Sequence, residues 1–131
     1  MTRTICDASA IASFLVGTDA DAAWVTSRIR ETSIAAPELM PFETANVLRR
    51  HAAAKLITSS DASAAHAELL LLDVELWSYE VLAERAWQLR ANLTSYDASY
   101  VALAELVEAP LVTLDRRIKK VRGLRCAVLA P

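Results

Sequence analysis

Asp7, Glu43, Asp97 and Asp115 each stand where an apolar run or a turn passes into a segment of helical periodicity. In a sheet of parallel strands such junctions share one rim, so carboxylates far apart in sequence can meet there as a cage for hard divalent cations. Four carboxylates in one place repel. Two unit charges about 5 Å apart cost roughly 3 kcal/mol at an effective dielectric of about 20, and four acids make several such pairs. A divalent cation, or protonation of some of the acids, has to offset that repulsion. Oxygen donors without clustered His or Cys favour Mg²⁺ or Mn²⁺ over zinc. Such ions keep bound waters, hold the nonbridging oxygens of a phosphodiester, make water more acidic and stabilise a departing oxygen. Hydrolysis of phosphodiester bonds is the chemistry this rim would support.

Each acid also has an ordinary explanation. Asp7 and Asp115 are placed to cap helices, Asp97 to answer Thr94 in a capping turn, and Glu43 to complement a helix dipole. Asn46 lies three residues after Glu43 and shares its helix face, while Leu48 turns toward packing. Ser9 and Thr113 lie two positions from Asp7 and Asp115, within reach of a carboxylate, a bound water or a phosphate; local backbone bonding is the competing use of such hydroxyls. Arg116 is a candidate for neutralising charge on phosphate. His51 and His66 have no partner at metal spacing, and Trp24, Trp77 and Trp87 read as core or interface residues.

The chain has 131 residues, 54% of them apolar and 23% charged, which suits one compact folded unit over residues 1–131. Its two glycines, Gly17 and Gly123, rule out a glycine-rich dinucleotide or Walker phosphate loop by counting alone. Cys6 and Cys126 lie in separate apolar runs and read as buried, reduced residues. No stretch approaches the roughly 20 apolar residues of a membrane span, and no secretory pattern opens the chain, so a cytoplasmic protein without a membrane partner is expected. The net charge of −2 conceals an uneven distribution. Arg116, Arg117, Lys119, Lys120, Arg122 and Arg125 are six of the 14 cations, and none of the 16 acids follows them. A cationic stretch directly after an acidic site suits a polyanionic substrate, although a solvated helix face would look the same.

The elements that must position these residues follow from periodicity and punctuation. Thr4 to Cys6 predicts a buried strand, Asp7 to Val16 a helix stopped by Gly17, and Thr18 to Glu31 a second helix. Ser33 to Ala36 is a strand closed by Pro37, and a helix start or kink is expected near Pro41. Ser59 or Ser60 is expected to cap a helix running to Leu72, before a strand at Val74 to Trp77 and a helix from Val81 to Leu93. Thr94 to Asp97 opens an apolar helix, Ala98 to Glu108. Leu111 to Leu114 is a strand, Arg116 to Val121 a basic helix and Leu124 to Leu129 a last strand. Strands alternating with helices, without hairpin signals, predict an α/β fold with a parallel sheet covered on both faces.

Four segments, in this order, are similar to the PIN-domain ribonucleases, and specifically to the toxins of VapBC toxin–antitoxin pairs. They are Asp7-Ala-Ser9, Pro41-Phe-Glu43-Thr-Ala-Asn46-Val-Leu48, Ser95-Tyr-Asp97-Ala-Ser-Tyr-Val-Ala-Leu-Ala104, and Pro110-Leu-Val-Thr113-Leu-Asp115. The resemblance implies a three-layer sandwich in which helices flank a central parallel sheet of about five short strands, with Asp7, Glu43, Asp97 and Asp115 as the acidic quartet. It implies Mg²⁺- or Mn²⁺-dependent cleavage of RNA, often transfer or ribosomal RNA, a homodimer, and a small antitoxin that blocks the site. Arg116 to Lys120 holds no further acid or amide, a departure from relatives that carry one there. Two other readings compete: a phosphoacceptor signalling domain, and a catalytically silent module that keeps the fold to grip a partner.

Overall fold

The computed structural model describes residues 1–131. Five parallel strands form one sheet: β1 (Thr2–Cys6), β2 (Thr32–Pro37), β3 (Val74–Trp77), β4 (Leu111–Val112) and β5 (Val128–Leu129), in the order β3-β2-β1-β4-β5. The helices are α1 (Ala8–Val16), α2 (Ala20–Ile29), α3 (Met40–Ala53), α4 (Ser59–Leu71), α5 (Ala83–Gln88), α6 (Ser95–Leu106) and α7 (Arg116–Lys119). Helices α1 to α4 pack on one another, while α5 packs on α6 and α6 lies across β1, β2 and β4. This is the expected helix-flanked parallel sheet.

The chain first builds outward from β1 to β2 and β3, then returns through α6 to place β4 on the other side of β1. The strand order therefore reverses between β1 and β4. In open α/β sheets the crevice at such a reversal, beyond the carboxyl ends of the strands, is where ligands bind. The register pairs Ile5 with Leu111 and Cys6 with Val112, so Asp7 and Thr113 leave the sheet side by side. Ile5, Cys6, Leu111 and Val112 are fully buried and anchor both strands in the core. Helix α6 supplies Ala98 and Tyr100 to Ala104 to the same core, which explains its nearly unbroken apolar sequence.

Several element boundaries differ from expectation, each for a local reason. Thr58, not Ser59 or Ser60, caps α4, its side chain accepting from the Asp61 amide at 3.0 Å. Helix α2 ends early because Glu31 takes a left-handed conformation, φ 61°. The expected helix from Val81 to Leu93 is broken into a 3-10 turn at Tyr79–Val81, the six-residue α5, and turns reaching Leu93. Pairing also shortens β4 and β5 to two residues each, and α7 to four. Cys6 is buried as expected, whereas Cys126 is only half-buried; both thiols are free.

Gly17 closes α1 at φ −79°, a conformation open to any residue, so its role is spatial. A Cβ there would stand 2.6 Å from both the Ala22 Cβ and the Ser13 carbonyl oxygen. Neither atom is the end of a flexible side chain. Gly17→Ala is expected to destabilise the fold by about 1–3 kcal/mol, the usual cost of overpacking. Urea unfolding checks this, and an unchanged midpoint would show that α1 and α2 can separate freely.

Candidate active site

Asp7 is the N-cap of α1, its Oδ1 accepting from the Ala10 amide at 3.1 Å. The same oxygen accepts from Ser9 Oγ at 2.6 Å, and Thr113 Oγ1 donates to Oδ2. Ser9 Oγ in turn accepts from the Leu114 amide at 3.1 Å, and Thr113 Oγ1 accepts from the Asp115 amide at 2.9 Å. The carboxyl end of β1 is thus tied to that of β4 through side chains, in addition to the Asp7 amide bonding the Val112 carbonyl at 3.2 Å. The expected roles of Ser9 and Thr113 as hydroxyls beside a carboxylate correspond to this geometry.

Asp7 is only 6% exposed and is the sole acidic residue among the buried ones. None of the three ion pairs in the fold includes Asp7, Glu43 or Asp97. Burial pushes the Asp7 carboxyl above the usual aspartate range, against its hydrogen bonds to Ser9, Thr113 and Ala10, and the nearby Asp97 adds to the rise. Glu43 lies in the first turn of α3, at the carboxyl end of β2. Tyr100, on the buried face of α6, donates its hydroxyl to Glu43 Oε1 at 2.8 Å. Partial burial raises the Glu43 carboxyl, Tyr100 opposes the shift, and the charges of Asp97 and Asp7 add to it.

Asp97 occupies the first turn of α6, its amide donating to Thr94 Oγ1 at 3.1 Å. Its carboxyl is raised by desolvation first and then by the charge of Asp115. Asp115 caps α7 and is paired through both oxygens with Arg117: Nε donates to Oδ1 at 3.0 Å and Nη2 to Oδ2 at 2.8 Å. That pairing holds the Asp115 carboxyl below its ordinary range. The Arg117 side chain is 89% exposed, so the pair adds little to stability and yields readily to competitors.

The four acids therefore share one rim and one electrostatic field, yet no three of them close around a point as a ready ligand set. The expected cage is therefore present as four acids along one rim and not as a closed ligand set. The residues nevertheless suit a hard cation. A buried carboxylate without a basic partner lacks a compensating charge, and Mg²⁺ is commonly held by one or two carboxylates plus waters and substrate phosphates. The structure gives two of the expected supporting residues other partners. Arg116 Nε donates to the Pro131 carbonyl, beyond the carboxyl end of β5, at 2.7 Å, and Arg117 pairs with Asp115. Asn46 is exposed and accepts from Arg49 Nε at 2.9 Å, with no bond to an acid of the rim.

Tyr100 and Arg117 escaped the sequence reading. Tyr100 stands three residues after Asp97 on one helix face, and Arg117 occupies the second position after a cap, where the amide already meets the capping carboxylate. Both signals were local and available. A larger cavity, about 850 Å³, lies far from the acids, around the Arg85–Glu105 pair and the residues that precede β4 and β5. An open rim rather than an enclosed hollow suits a polymeric substrate.

The architecture defines a doubly wound parallel α/β fold with a carboxylate-lined switch point. The PIN domain family matches residues 4–124, and the chain belongs to that family. Ribonuclease VapC1 of Mycobacterium tuberculosis is 36% identical over 129 residues, which is 98% of this chain and 97% of that protein. A crystal structure of VapC20 from M. tuberculosis, described as a sarcin-ricin loop cleaving toxin, superposes with a TM-score of 0.68 at 18% identity, over 92% of this chain and 95% of that one. VapBC2 of Rickettsia felis, solved bound to a promoter DNA fragment, gives the same TM-score at 11% identity and covers 98% of both chains. At those identities the two structures speak for the fold alone. The phosphoacceptor reading finds no support among these relatives. No helix is long and apolar enough to cross a membrane.

An acid whose pKa is raised by folding ionises more readily in the unfolded chain. Its contribution favours the fold at low pH and is lost as pH climbs from the ordinary carboxylate value, about 4, through the raised folded value. In EDTA, Asp7→Asn is therefore expected to have a higher Tm than the wild type at neutral pH, with the difference widening as pH rises. Differential scanning fluorimetry checks this; a variant less stable than wild type at pH 7 would contradict the uncompensated-charge account.

Proposed function

We propose that the protein is a Mg²⁺- or Mn²⁺-dependent endoribonuclease, the toxin of a type II toxin–antitoxin pair, acting on transfer or ribosomal RNA in the cytoplasm. The observation that carries the reading is the buried, unpaired Asp7 carboxylate at the β1–β4 switch point, with Glu43, Asp97 and Asp115 on the same rim. Its relationship to VapC ribonucleases supplies the substrate class.

Asp7, Asp97 and Asp115 would hold the ion directly or through water, with Glu43 as a further ligand or as the group that orients the attacking water. The ion, when bound, neutralises phosphate charge and makes water more acidic. Glu43 is suited to accept a proton: Tyr100 fixes one oxygen, leaving the other free, and partial burial holds its carboxyl above the ordinary range. The water oxygen bonds to phosphorus as the bond to the ribose 3′ oxygen breaks in line, and that oxygen takes a proton from solvent. Ser9 and Thr113 keep the Asp7 carboxylate in one orientation throughout, so that positioning and charge neutralisation provide most of the acceleration. To serve as a ligand, Asp115 would have to give up its pairing with Arg117.

Exposed apolar side chains on α3 and α4 support a protein partner close to the rim. Phe42, directly before Glu43, is 80% exposed, and Leu70 and Leu71 are exposed as well. A small antitoxin covering these helices would obstruct access to Glu43. A homodimer belongs to the same reading.

Asp7→Asn and Asp97→Asn are each expected to lower metal-dependent RNA cleavage by at least about 100-fold, exceeding the usual loss from a residue that only supports a ligand, with the circular dichroism spectrum retained. Mapping of 5′ ends in RNA from cells making the wild type or Asp7→Asn checks this. Retained metal-dependent cleavage by both pure variants would overturn the assignment. A wild type that binds Mn²⁺ but cleaves nothing would instead be a silent PIN-fold module.

A further inference from the structure

Beside Asp115 lies a second feature of opposite charge. A cleft of about 480 Å³ is lined by Asn92, Arg117, Lys120, Val121 and Arg122, with no acid among them. Lys120 and Arg122 are exposed and take part in no ion pair. Arg117 belongs both to this cleft and to the acidic rim, where it pairs with Asp115 and its charge opposes the rise of the Asp97 carboxyl. The two sites are therefore contiguous.

The loop that carries the cations is held in place from behind. After α7 the chain turns at Gly123, φ 84°, a left-handed conformation that favours glycine. Arg85 Nη2 donates to the Gly123 carbonyl at 3.0 Å, and the Arg125 amide donates to Glu105 Oε2 at 2.7 Å. Arg85 and Glu105 are themselves joined at 2.6 Å, with the Glu105 side chain 8% exposed. The loop spanning residues 120–125 is thus pinned to α5 and α6 through one part-buried ion pair. Order of this kind at a run of unpaired cations is what a preorganised anion site requires.

We propose that this cleft is a subsite for a backbone phosphate of single-stranded RNA, neighbouring the phosphodiester that is cut, and that Arg117 links the two. Arg117 already lines the cleft while it pairs with Asp115, and its guanidinium would be free to face a phosphate were Asp115 to hold a cation; its planar fork suits such a group. Lys120 and Arg122 hold the strand by charge, and Asn92 offers a neutral donor from the loop before α6. The subsite reads backbone rather than base identity. The inference rests on the ribonuclease reading and specifies how the substrate strand is gripped.

The test is fluorescence anisotropy of a short labelled single-stranded RNA in EDTA, where nothing is cut, across a series of salt concentrations. Each phosphate contact contributes about 0.7 to the slope of log affinity against log salt for single strands. Lys120→Gln and Arg122→Gln are each expected to flatten the slope by about that amount. Lys119→Gln removes the same charge from the end of α7 but lies outside the cleft, and should leave the slope unchanged. Mn²⁺ calorimetry should give the wild-type heat for all three, while Arg117→Gln should bind Mn²⁺ more tightly. Equal flattening by Lys119→Gln and Lys120→Gln, no flattening by Lys120→Gln or Arg122→Gln, or absence of wild-type binding would overturn the subsite. Wild-type cleavage in Mn²⁺ is read separately. A protein that cuts RNA without the slope pattern keeps its nuclease reading and loses the subsite; one that shows the pattern but never cuts loses the nuclease reading, and the cleft is then a single-strand phosphate site with no scissile bond beside it.

Discussion

A single buried carboxylate sets the character of this protein. Asp7 emerges from the central strand into a position where almost no solvent reaches it, and the only partners of its carboxylate are two hydroxyls and one backbone amide. Those partners come from both sides of the switch point, so the hydrogen bonds that satisfy the carboxylate also fasten β1 to β4. Neutral donors hold the group in place but do not cancel its charge. The fold tolerates that charge because its apolar strands and α6 are buried independently of it. A part of the stability available from packing is thereby committed to keeping an anion where a cation can reach it.

Capping and chemistry are not competing uses of these acids. Asp7 and Asp115 both cap helices, each with one oxygen bonded to an amide of the first turn. The helix start fixes the direction of the carboxylate. Asp97 is held differently, since Thr94 takes the capping role and leaves the Asp97 side chain free of that task. Glu43 is steadied from across the sheet by Tyr100, which is buried with α6. Helix geometry, strand register and one tyrosine thus orient the four acids.

The charge pattern divides the surface by task. Acids that repel one another occupy the rim, and unpaired cations stand on a pinned loop beside it, with Arg117 spanning the border. The Arg85–Glu105 pair, which lines a cavity of about 850 Å³, also holds that loop. It is partly buried, satisfied by several further hydrogen bonds, and able to transmit order from α5 and α6 to the cationic turn.

Much of this was legible in the amino-acid order. Apolar runs and helical periodicity determine the alternation of strands and helices, and with it the parallel sheet, because a half-buried strand and an amphipathic helix have different periods. The four acids at element junctions, and the hydroxyls of Ser9 and Thr113 close to them, follow from the same local pattern. Local pattern fails where partners are distant. Whether Glu43 meets Tyr100, whether Arg116 or Arg117 reaches Asp115, and how far the acids stand apart depend on strand register and on the path of the chain after β5 begins to pair. The broken segment around α5 and the two-residue strands β4 and β5 were likewise decided by what packs against them. Periodicity is a property of neighbouring residues, whereas the direction of a long charged side chain is chosen by whichever distant groups the fold brings within reach.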